Sequence, residues 1–312
     1  MDITVAVCTY NGEKRLPEVL DHLKKQRSTE YMEWEILIVD NNSNDGTKEV
    51  VRQYQEVWRE DATLKCIFEK RQGKSFAIET AMEFSQAKFI AFLDDDNLPD
   101  PEWINSAYQF INNHSNLGAF GGQIHGDFEK EPSIHFGLVK PLFAINEQTE
   151  EKCYSCGKRL EMGAPGAGLV VNREAWIDSK PKEGLTLLGP TGSGRGTLGE
   201  EFELQSYLFN NGWDIWHNPN MHMQHKIPES RFEEEYLKNF FRAIGLSRHF
   251  TRMMLYKSWK RPFITIAYWF KDSIKLLKLL WTYKSKIKSD KFVRGRILMT
   301  FYMLIAPFRF GK

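Results

Sequence analysis

Three aspartates in succession, Asp94, Asp95 and Asp96, are the residues of this sequence whose types and spacing most clearly suggest chemistry. They follow an apolar run at residues 89–93, so their carboxylates are expected at the end of a buried strand. Adjacent carboxylates are costly to bury unless cations neutralise them, and a divalent cation with a diphosphate can do so. The alternative is a solvated acidic loop that caps the next helix. Their position after a buried strand favours a metal and phosphate site.

The first hundred residues alternate strand and helix patterns that would place these aspartates in a parallel sheet. Short β-branched runs predict strands at residues 3–8, 35–39, 64–68 and 88–93, and apolar spacing predicts helices at 13–26, 47–58 and 74–86. Because the carboxyl ends of parallel strands meet at one edge, the polar groups at 9–11, 40–42 and 94–96 are expected in one crevice. The predicted fold is α/β, with a mostly parallel twisted sheet flanked by helices.

Beyond residue 100 the pattern is less regular. Strands are predicted at residues 118–124, 167–172 and 214–217, and a helix at residues 200–211. Six glycines between residues 184 and 199 predict a mobile loop directly before that helix.

The C-terminal part of the chain differs from the rest in charge. Residues 226–312 hold 20 Lys and Arg against six Asp and Glu, whereas residues 1–225 hold 22 against 35. Residues 263–283 are apolar but are interrupted by four charged side chains, which makes them a poor membrane-spanning helix. We expect a helical, basic extension that either binds an anionic membrane surface or packs on the main domain. No nucleic-acid partner is expected.

Cysteine usage and the N-terminus bear on the compartment. Cys153 and Cys156 form a C-x-x-C without the second pair of a zinc site, so reduced thiols in a cytosolic protein are expected. The chain opens into an apolar strand without a basic segment or cleavage site, so no signal peptide is expected. The predicted location is cytoplasmic, with a peripheral position on the inner face of the membrane as a candidate.

Four groups of residues, in this order and spacing, resemble the family 2 glycosyltransferases with the GT-A fold. They are TYNGE at residues 9–13, the segment 39–47 from VDNNS to GT, GKS at 73–75, and FLDDD at 92–96. The resemblance covers about residues 1–225 and is greatest to bacterial, including cyanobacterial, enzymes of exopolysaccharide assembly. It implies a GT-A catalytic domain at residues 1–228, followed by the helical basic region at 229–312.

The resemblance also implies the donor and metal sites. Asp96 would be the main ligand of Mg²⁺ or Mn²⁺, and His225 is a second candidate ligand, with a structural histidine as the alternative. The remaining side chains would bind the nucleotide sugar. These are Thr9, Tyr10, Asn11, Glu13, Asp40, Asn41, Lys74, Asp94 and Asp95.

Sugar transfer requires a base that deprotonates the attacking hydroxyl, and the resemblance points to an acidic pair at the start of a helix. Glu200 and Glu201 occupy that place, and Glu201 is preferred. The alternative is that both are first-turn acids that stabilise a helix dipole. Gly166 and Gly168 resemble the acceptor-side loop of the family, where small residues permit close approach to a sugar.

The sequence therefore predicts a metal-dependent inverting glycosyltransferase of polysaccharide biosynthesis. It would use a nucleoside diphosphate sugar as donor and a glycan or lipid-linked acceptor. One alternative is a sugar-phosphate nucleotidyltransferase, although TYNG after the first strand is not a triphosphate loop. The other is a non-catalytic, membrane-associated carbohydrate-binding protein, against which the acidic run and Glu201 argue.

Overall fold

The computed structural model describes residues 1–157, 160, 163–190 and 198–309. Within these ranges a mixed sheet is flanked by helices. The strands are β1 (Ile3–Thr9), β2 (Trp34–Asp40), β3 (Thr63–Phe68), β4 (Phe89–Asp94), β5 (Asn97–Pro99), β6 (Leu117–Phe128), β7 (Lys152–Cys153), β8 (Leu169–Asn172) and β9 (Asp214–Ile227). The helices are α1 (Leu16–Lys24), α2 (Thr47–Glu56), α3 (Lys74–Phe84), α4 (Trp103–Asn113), α5 (Arg173–Ser179), α6 (Glu200–Asn210), α7 (Glu234–Met254), α8 (Arg261–Thr282) and α9 (Lys291–Ile305).

One half of the sheet is parallel, in the order β3-β2-β1-β4. Its strands are short apolar runs, and helices α1 to α3 provide the crossovers between them, as the sequence predicts. The register pairs Thr9 with Asp40 and Cys8 with Asp94, so the polar segments that follow β1, β2 and β4 leave the same edge. The predicted convergence of these strand ends is confirmed.

The other half of the sheet continues as β8-β6-β9-β5 and contains the antiparallel pairs β4–β8, β6–β8 and β5–β9. Strand β9 runs ten residues past the predicted end at residue 217, because its polar side chains hide the period-2 pattern. Strand β5 has only three residues, too few for a periodicity, and the sequence did not predict it. It pairs Asn97 with His225, which brings His225 beside the acidic run.

The sheet is covered on both faces. On one face, α1 buries Leu16, Val19, Leu20 and Leu23 completely, in agreement with the helical spacing of these residues. On the other face, α3, α5 and α6 pack over a second apolar cluster that includes Trp176. The first cluster holds α1 against the strands that end at the polar edge, and the second holds α3 and α6, which begin at that edge.

The C-terminal helices pack on the sheet domain through an aromatic cluster. Phe241 of α7 and Phe292 of α9 meet Phe136 and Phe143, which belong to two short 3₁₀ helices between β6 and β7. Helix α8 buries only Asp272. Within the described ranges no helix has both the length and the apolar character to cross a membrane.

The C-x-x-C motif and the glycine-rich loop are the two remaining features that the sequence singled out. Cys153 and Cys156 are joined in a disulfide, so the expectation of reduced thiols is wrong for this pair. The turn after β7 brings the two Cα atoms to 5.5 Å, a separation that permits the bond. Of the predicted mobile loop, residues 191–197 lie outside the described residues. Residues 185–187 are held by α3 and α6, because the Leu185 N–H donates to Glu79, and the N–H groups of Thr186 and Leu187 donate to Glu203.

Candidate active site

A cavity of about 1160 Å³ opens at the carboxyl ends of the parallel strands. It is lined by the strand-end residues Thr9, Tyr10 and Asn41 and by the three aspartates. Successive turns of α7, including Ser247 and Arg248, line it as well. The start of α6, with Glu200 and Glu201, lines the cavity as well. This volume is slightly above the range of about 300–1,000 Å³ that is typical of small-molecule pockets.

Asp95 is held at the base of the cavity by two partners. The Arg15 guanidinium donates to both carboxylate oxygens at 2.9 and 2.8 Å, and the Thr9 hydroxyl donates at 2.6 Å. Burial raises the pKa of Asp95, and the Arg15 and Thr9 hydrogen bonds act against that rise. Arg15 is therefore the cation of this carboxylate, although no motif in the sequence singled it out.

Asp96 contacts a different cation and the predicted second ligand. Arg231 donates to Oδ2 of Asp96, and the Nε2 atom of His225 lies 3.7 Å from Oδ1. Burial alone would raise the pKa of Asp96, but His225 and Arg231 outweigh it and lower the pKa. Arg231 also donates to Nε2 of His225 at 2.9 Å, so one guanidinium bridges both side chains.

The ligand atoms of Asp96 and His225 fit a divalent cation whose coordination is completed by phosphate oxygens. His225 donates its Nδ1–H to the carbonyl of Phe143 at 3.0 Å, so Nε2 carries the lone pair that now accepts from Arg231 and would serve a cation in its place. A hydrogen bond of this kind from the other ring nitrogen is typical of metal-binding histidines. Asp96 and His225 supply two ligand atoms, and Mg²⁺ usually takes one or two carboxylates with substrate phosphates.

Across the part of the chain that the structure describes, three ligand atoms lie within 4.8 Å of one another only at Cys153, Cys156 and Asp214. The disulfide removes both thiolates there, so that group does not bind a metal as it stands.

Lys74 connects the acidic run to the acidic pair. Its ammonium lies 2.7 Å from Asp94 and 2.7 Å from Glu201. Burial opposes the charged form of Lys74, but the carboxylates of Asp94 and Glu201 outweigh it and raise the pKa well above its usual value. Helix α3 begins at Lys74, directly after Gly73, so the start of this helix places the ammonium at the cavity.

The two glutamates at the start of α6 differ in environment. Glu200 is buried, and burial, followed by the neighbouring Glu201 carboxylate, raises its pKa well above the ordinary value. Burial of Glu201 is outweighed by Lys74, which lowers the pKa of Glu201. Lys74 thus favours the charged form of Glu201 at the cavity, whereas burial disfavours the charged form of Glu200.

The acceptor-side glycines lie against different groups. A Cβ atom at Gly166 would fall 2.3 Å from Cδ of Glu201, so a glycine is required for the glutamate to occupy this position. Gly168 has φ +69°, and a Cβ there would meet the Met223 side chain at 2.5 Å. Gly166 faces the cavity beside Glu201, whereas Gly168, directly before β8, makes room for the Met223 side chain of β9.

The strand-end loops are tied together by amides and carboxylates. Asn41 donates to the carbonyl of Arg71 at 2.6 Å and accepts from the N–H of Gly73 at 2.9 Å, which links the end of β2 to the start of α3. Asp40 accepts from the N–H of Ser43 at 3.0 Å. The polar atoms of both side chains therefore shape the loop around the pocket.

The loop after β1 is tied to the loop before α2. Asn11 has φ 50° and accepts from the N–H of Asn44 at 2.9 Å, and Glu13 accepts from the N–H of Gly46 at 3.2 Å. Glu13 is exposed at this junction, and Tyr10 lines the cavity. All the donor residues expected from the sequence thus lie on the three neighbouring strand ends or at the start of α3.

Sequence reasoning missed Gln205, a side chain that orders the loop before Gly166. Gln205, on the α6 turn after Glu201, accepts from the N–H of Ala164 at 2.7 Å and donates to the carbonyl of Ala164 at 2.8 Å. This paired contact fixes the loop that leads to Gly166. A buried glutamine inside a helix was the available signal, but its partner is 41 residues away.

The strand order and the acidic site at the strand ends define a GT-A-type α/β fold. Residues 4–175, more than half of the chain, match the model of the family described as Glycosyl transferase family 2. The chain therefore belongs to glycosyl transferase family 2.

Sequence and structure neighbours agree with this placement. Glycosyltransferase AglE of Haloferax volcanii is 30% identical over 122 residues, which cover 39% of each chain, so the match spans less than half of that relative. Staphylococcus aureus TarS 1-349 in complex with UDP-GlcNAc has a TM-score of 0.56 at 16% identity and covers 100% of this chain and 93% of its own. The mannosyltransferase PcManGT from Pyrobaculum calidifontis, with GDP-Man and Mn²⁺, has a TM-score of 0.61 at 18% identity, over 98% and 86%. Similarity at this level of identity shows the fold.

Proposed function

We propose that the protein transfers a sugar, with inversion, from a nucleoside diphosphate sugar to a hydroxyl group of a glycan or lipid-linked acceptor. The observation that carries this proposal is the position of Lys74, which lies 2.7 Å from both Asp94 and Glu201. It links a polar pocket suited to a diphosphate with a carboxylate suited to accept a proton. Membership of glycosyl transferase family 2 supports the same reaction class.

The proposed step is a single displacement. The acceptor oxygen forms a bond to the anomeric carbon as the bond from that carbon to the diphosphate oxygen breaks. The proton of the acceptor hydroxyl moves to Glu201, and the nucleoside diphosphate leaves with the bonding electrons. Attack from the face opposite the leaving group inverts the anomeric centre.

The donor is proposed to bind at the strand ends, with Arg15, Lys74 and Arg231 as candidate phosphate partners. Each of these cations now pairs with one aspartate, so a bound diphosphate would share or replace existing ion pairs. The side chains of Asp96 and His225 would hold Mg²⁺ or Mn²⁺, which would stabilise negative charge on the leaving diphosphate.

The names of the structural neighbours support a nucleotide sugar without selecting the base. TarS is described with UDP-GlcNAc and PcManGT with GDP-Man and Mn²⁺. We therefore keep the proposal at the level of nucleoside diphosphate sugars. Synthesis of a glycan or polysaccharide is the process that this family and these neighbours favour.

Nucleotide release with a panel of UDP, GDP and dTDP sugars tests the proposed reaction directly. We expect the nucleoside diphosphate to appear in step with acceptor glycosylation, and a chelator to stop both. Pyrophosphate formation from a nucleoside triphosphate and a sugar phosphate would instead identify a nucleotidyltransferase. Sugar binding without release of either product would identify a carbohydrate-binding protein.

We propose further that α8 lies on an anionic membrane surface, where a lipid-linked acceptor would be available. Six of its large exposed apolar residues recur at intervals of three or four, so they form one face, and Trp269 and Leu280 are exposed to a smaller extent. The six are Phe263, Ile266, Phe270, Ile274, Leu277 and Trp281. Asp272 points the opposite way and pairs with Arg252 of α7. Lys271 and Lys278, both exposed, flank the apolar face, which favours anionic lipid headgroups.

Sedimentation with vesicles of phosphatidylcholine and phosphatidylglycerol tests this surface. Phe270→Glu should weaken binding at least about tenfold, because burying a phenylalanine side chain contributes about 1.5–3 kcal/mol. The control is Phe84→Glu on α3, since Phe84 is 62% exposed and Phe270 is 59% exposed. Equal loss in both variants, or binding by wild type that is insensitive to phosphatidylglycerol, would reject the proposal.

A further inference from the structure

Basic side chains from all three C-terminal helices meet at one place. Arg248 and Arg252 come from α7, Lys275 from α8 and Arg296 from α9. A single carboxylate, Asp272, faces this group. We call these four cations the helix-junction cluster.

Only one cation of the helix-junction cluster is neutralised. Arg252 forms the ion pair with Asp272, donating to Oδ1 at 3.2 Å and to Oδ2, and its guanidinium lies 4.2 Å from the ring centre of Tyr268. Among the described residues, no hydrogen bond or ion pair joins the side chains of Arg248, Lys275 or Arg296 to a protein group. Three partly buried cations therefore have no ion-pair partner of their own among the described residues, since Asp272 is taken by Arg252.

Such a cluster is unfavourable in the free protein. Burial, followed by neighbouring arginines, lowers the pKa of Arg248, and burial and Arg296 lower that of Lys275 to about 8. Like charges that are withdrawn from water repel one another unless an anion lies between them. The cluster thus has the character of a binding site for a multiply charged anion.

One member of the helix-junction cluster borders the cavity that holds the proposed base. Arg248 lines the same cavity as Glu201. The preceding residue, Ser247, accepts a hydrogen bond from the N–H of Leu198 at 3.1 Å, which fixes this turn of α7 to the segment before α6. The donor-side cations Arg15 and Lys74 lie instead at the strand ends. Of the cluster only Arg248 lines this cavity, so the cluster borders the cavity through Arg248, apart from the donor-side cations.

We propose that Arg248, Lys275 and Arg296 bind a phosphate or diphosphate group carried by the acceptor. Guanidinium groups bind phosphate oxygens in pairs, and an ammonium adds a point charge. The assignment of this anion to the acceptor rests on the proposed transfer reaction, whereas the existence of the anion site does not. The exposed apolar face of α8, on the same helix as Lys275, is suited to an acceptor whose phosphate is linked to a lipid.

Calorimetric titration of the full chain with inorganic pyrophosphate and with farnesyl diphosphate tests the site, without donor or divalent metal. Lys275→Gln and Arg248→Gln should each weaken binding of farnesyl diphosphate about tenfold, in the range of a lost hydrogen bond to a charged group. The matched control is Lys238→Gln, which removes an exposed lysine of α7 and should change binding less than about twofold. The Tm of Lys275→Gln should be unchanged or higher, because the substitution relieves repulsion.

The outcomes separate the sources of the phosphate. A lipid-linked acceptor is supported if wild type binds farnesyl diphosphate more tightly than pyrophosphate and both cluster variants lose this difference. A soluble phosphate acceptor is supported if wild type binds the two probes equally and both cluster variants lose affinity for each to the same extent. Equal binding by wild type and the cluster variants would overturn the proposal. So would Lys275-dependent binding to phosphatidylglycerol vesicles without binding of either probe, since the cluster would then serve membrane headgroups. Failure here leaves the donor reaction intact, because the titration uses neither donor nor metal.

Discussion

Replacement of Glu201 by glutamine is expected to lower kcat for sugar transfer about 10²–10⁴-fold, the usual contribution of a general base. Glutamine keeps the size of the side chain but cannot accept the proton. Binding of the nucleoside diphosphate, measured by calorimetry, should change little, because Glu201 contacts the acceptor side of the cavity beside Gly166. The substitution should therefore lower kcat and leave the affinity for the nucleoside diphosphate nearly unchanged.

Glu200→Gln is the matched control for this experiment. Burial and the Glu201 charge raise the pKa of Glu200 and so disfavour its charged form, and the loss on replacement by neutral glutamine should stay below about tenfold. A larger loss in Glu200→Gln than in Glu201→Gln would exchange the two roles.

The pH dependence of kcat/KM gives a second check on Glu201. Lys74 lowers the pKa of Glu201, so kcat/KM should fall only as the pH drops below the ordinary glutamate range.

The second large effect is expected from Asp96→Asn, which should lower metal-dependent turnover more than about 100-fold. The substitution removes the negative charge that, with His225, would hold the cation, and Lewis-acid stabilisation contributes several kcal/mol to such reactions. Binding of Mn²⁺ in the presence of nucleoside diphosphate, followed by electron paramagnetic resonance, should be lost in the same variant.

Asp100→Asn is the control for Asp96→Asn. Asp100 is exposed directly after β5, four residues further on, so this variant removes the same kind of charge away from the proposed cation site. It should keep Mn²⁺ binding and turnover within about twofold of wild type. Turnover in Asp96→Asn that equals wild type, together with insensitivity of wild type to chelator, would exclude a metal held by Asp96.

Arg231 occupies the position at which the cation is proposed to bind. Its guanidinium bridges Asp96 and His225, the two side chains proposed to bind the cation. A cation at that position would take over the charge interaction that Arg231 now makes. Arg231 would then be available to a diphosphate oxygen in the same cavity.

The sequence alone determined the parallel half of the sheet and the place of the acidic run. Apolar runs of strand length alternate with helical spacing over the first hundred residues, and this alternation permits few topologies. Because parallel strands end at one edge, the proximity of Thr9, Asp40 and Asp95 followed from chain order. Registers that pair Thr9 with Asp40 and Cys8 with Asp94 are in accord with that inference.

The partners of these residues were decided by tertiary structure. His225 comes beside Asp96 through the antiparallel pairing of β5 with β9, and Arg231 follows six residues later. Lys74 meets Glu201 across 127 residues of sequence. No local period encodes such contacts, because side chains far apart in sequence meet only when strand register and helix packing are set. The helix-junction cluster was hidden for the same reason, since its cations come from three helices that look individually like ordinary basic surfaces.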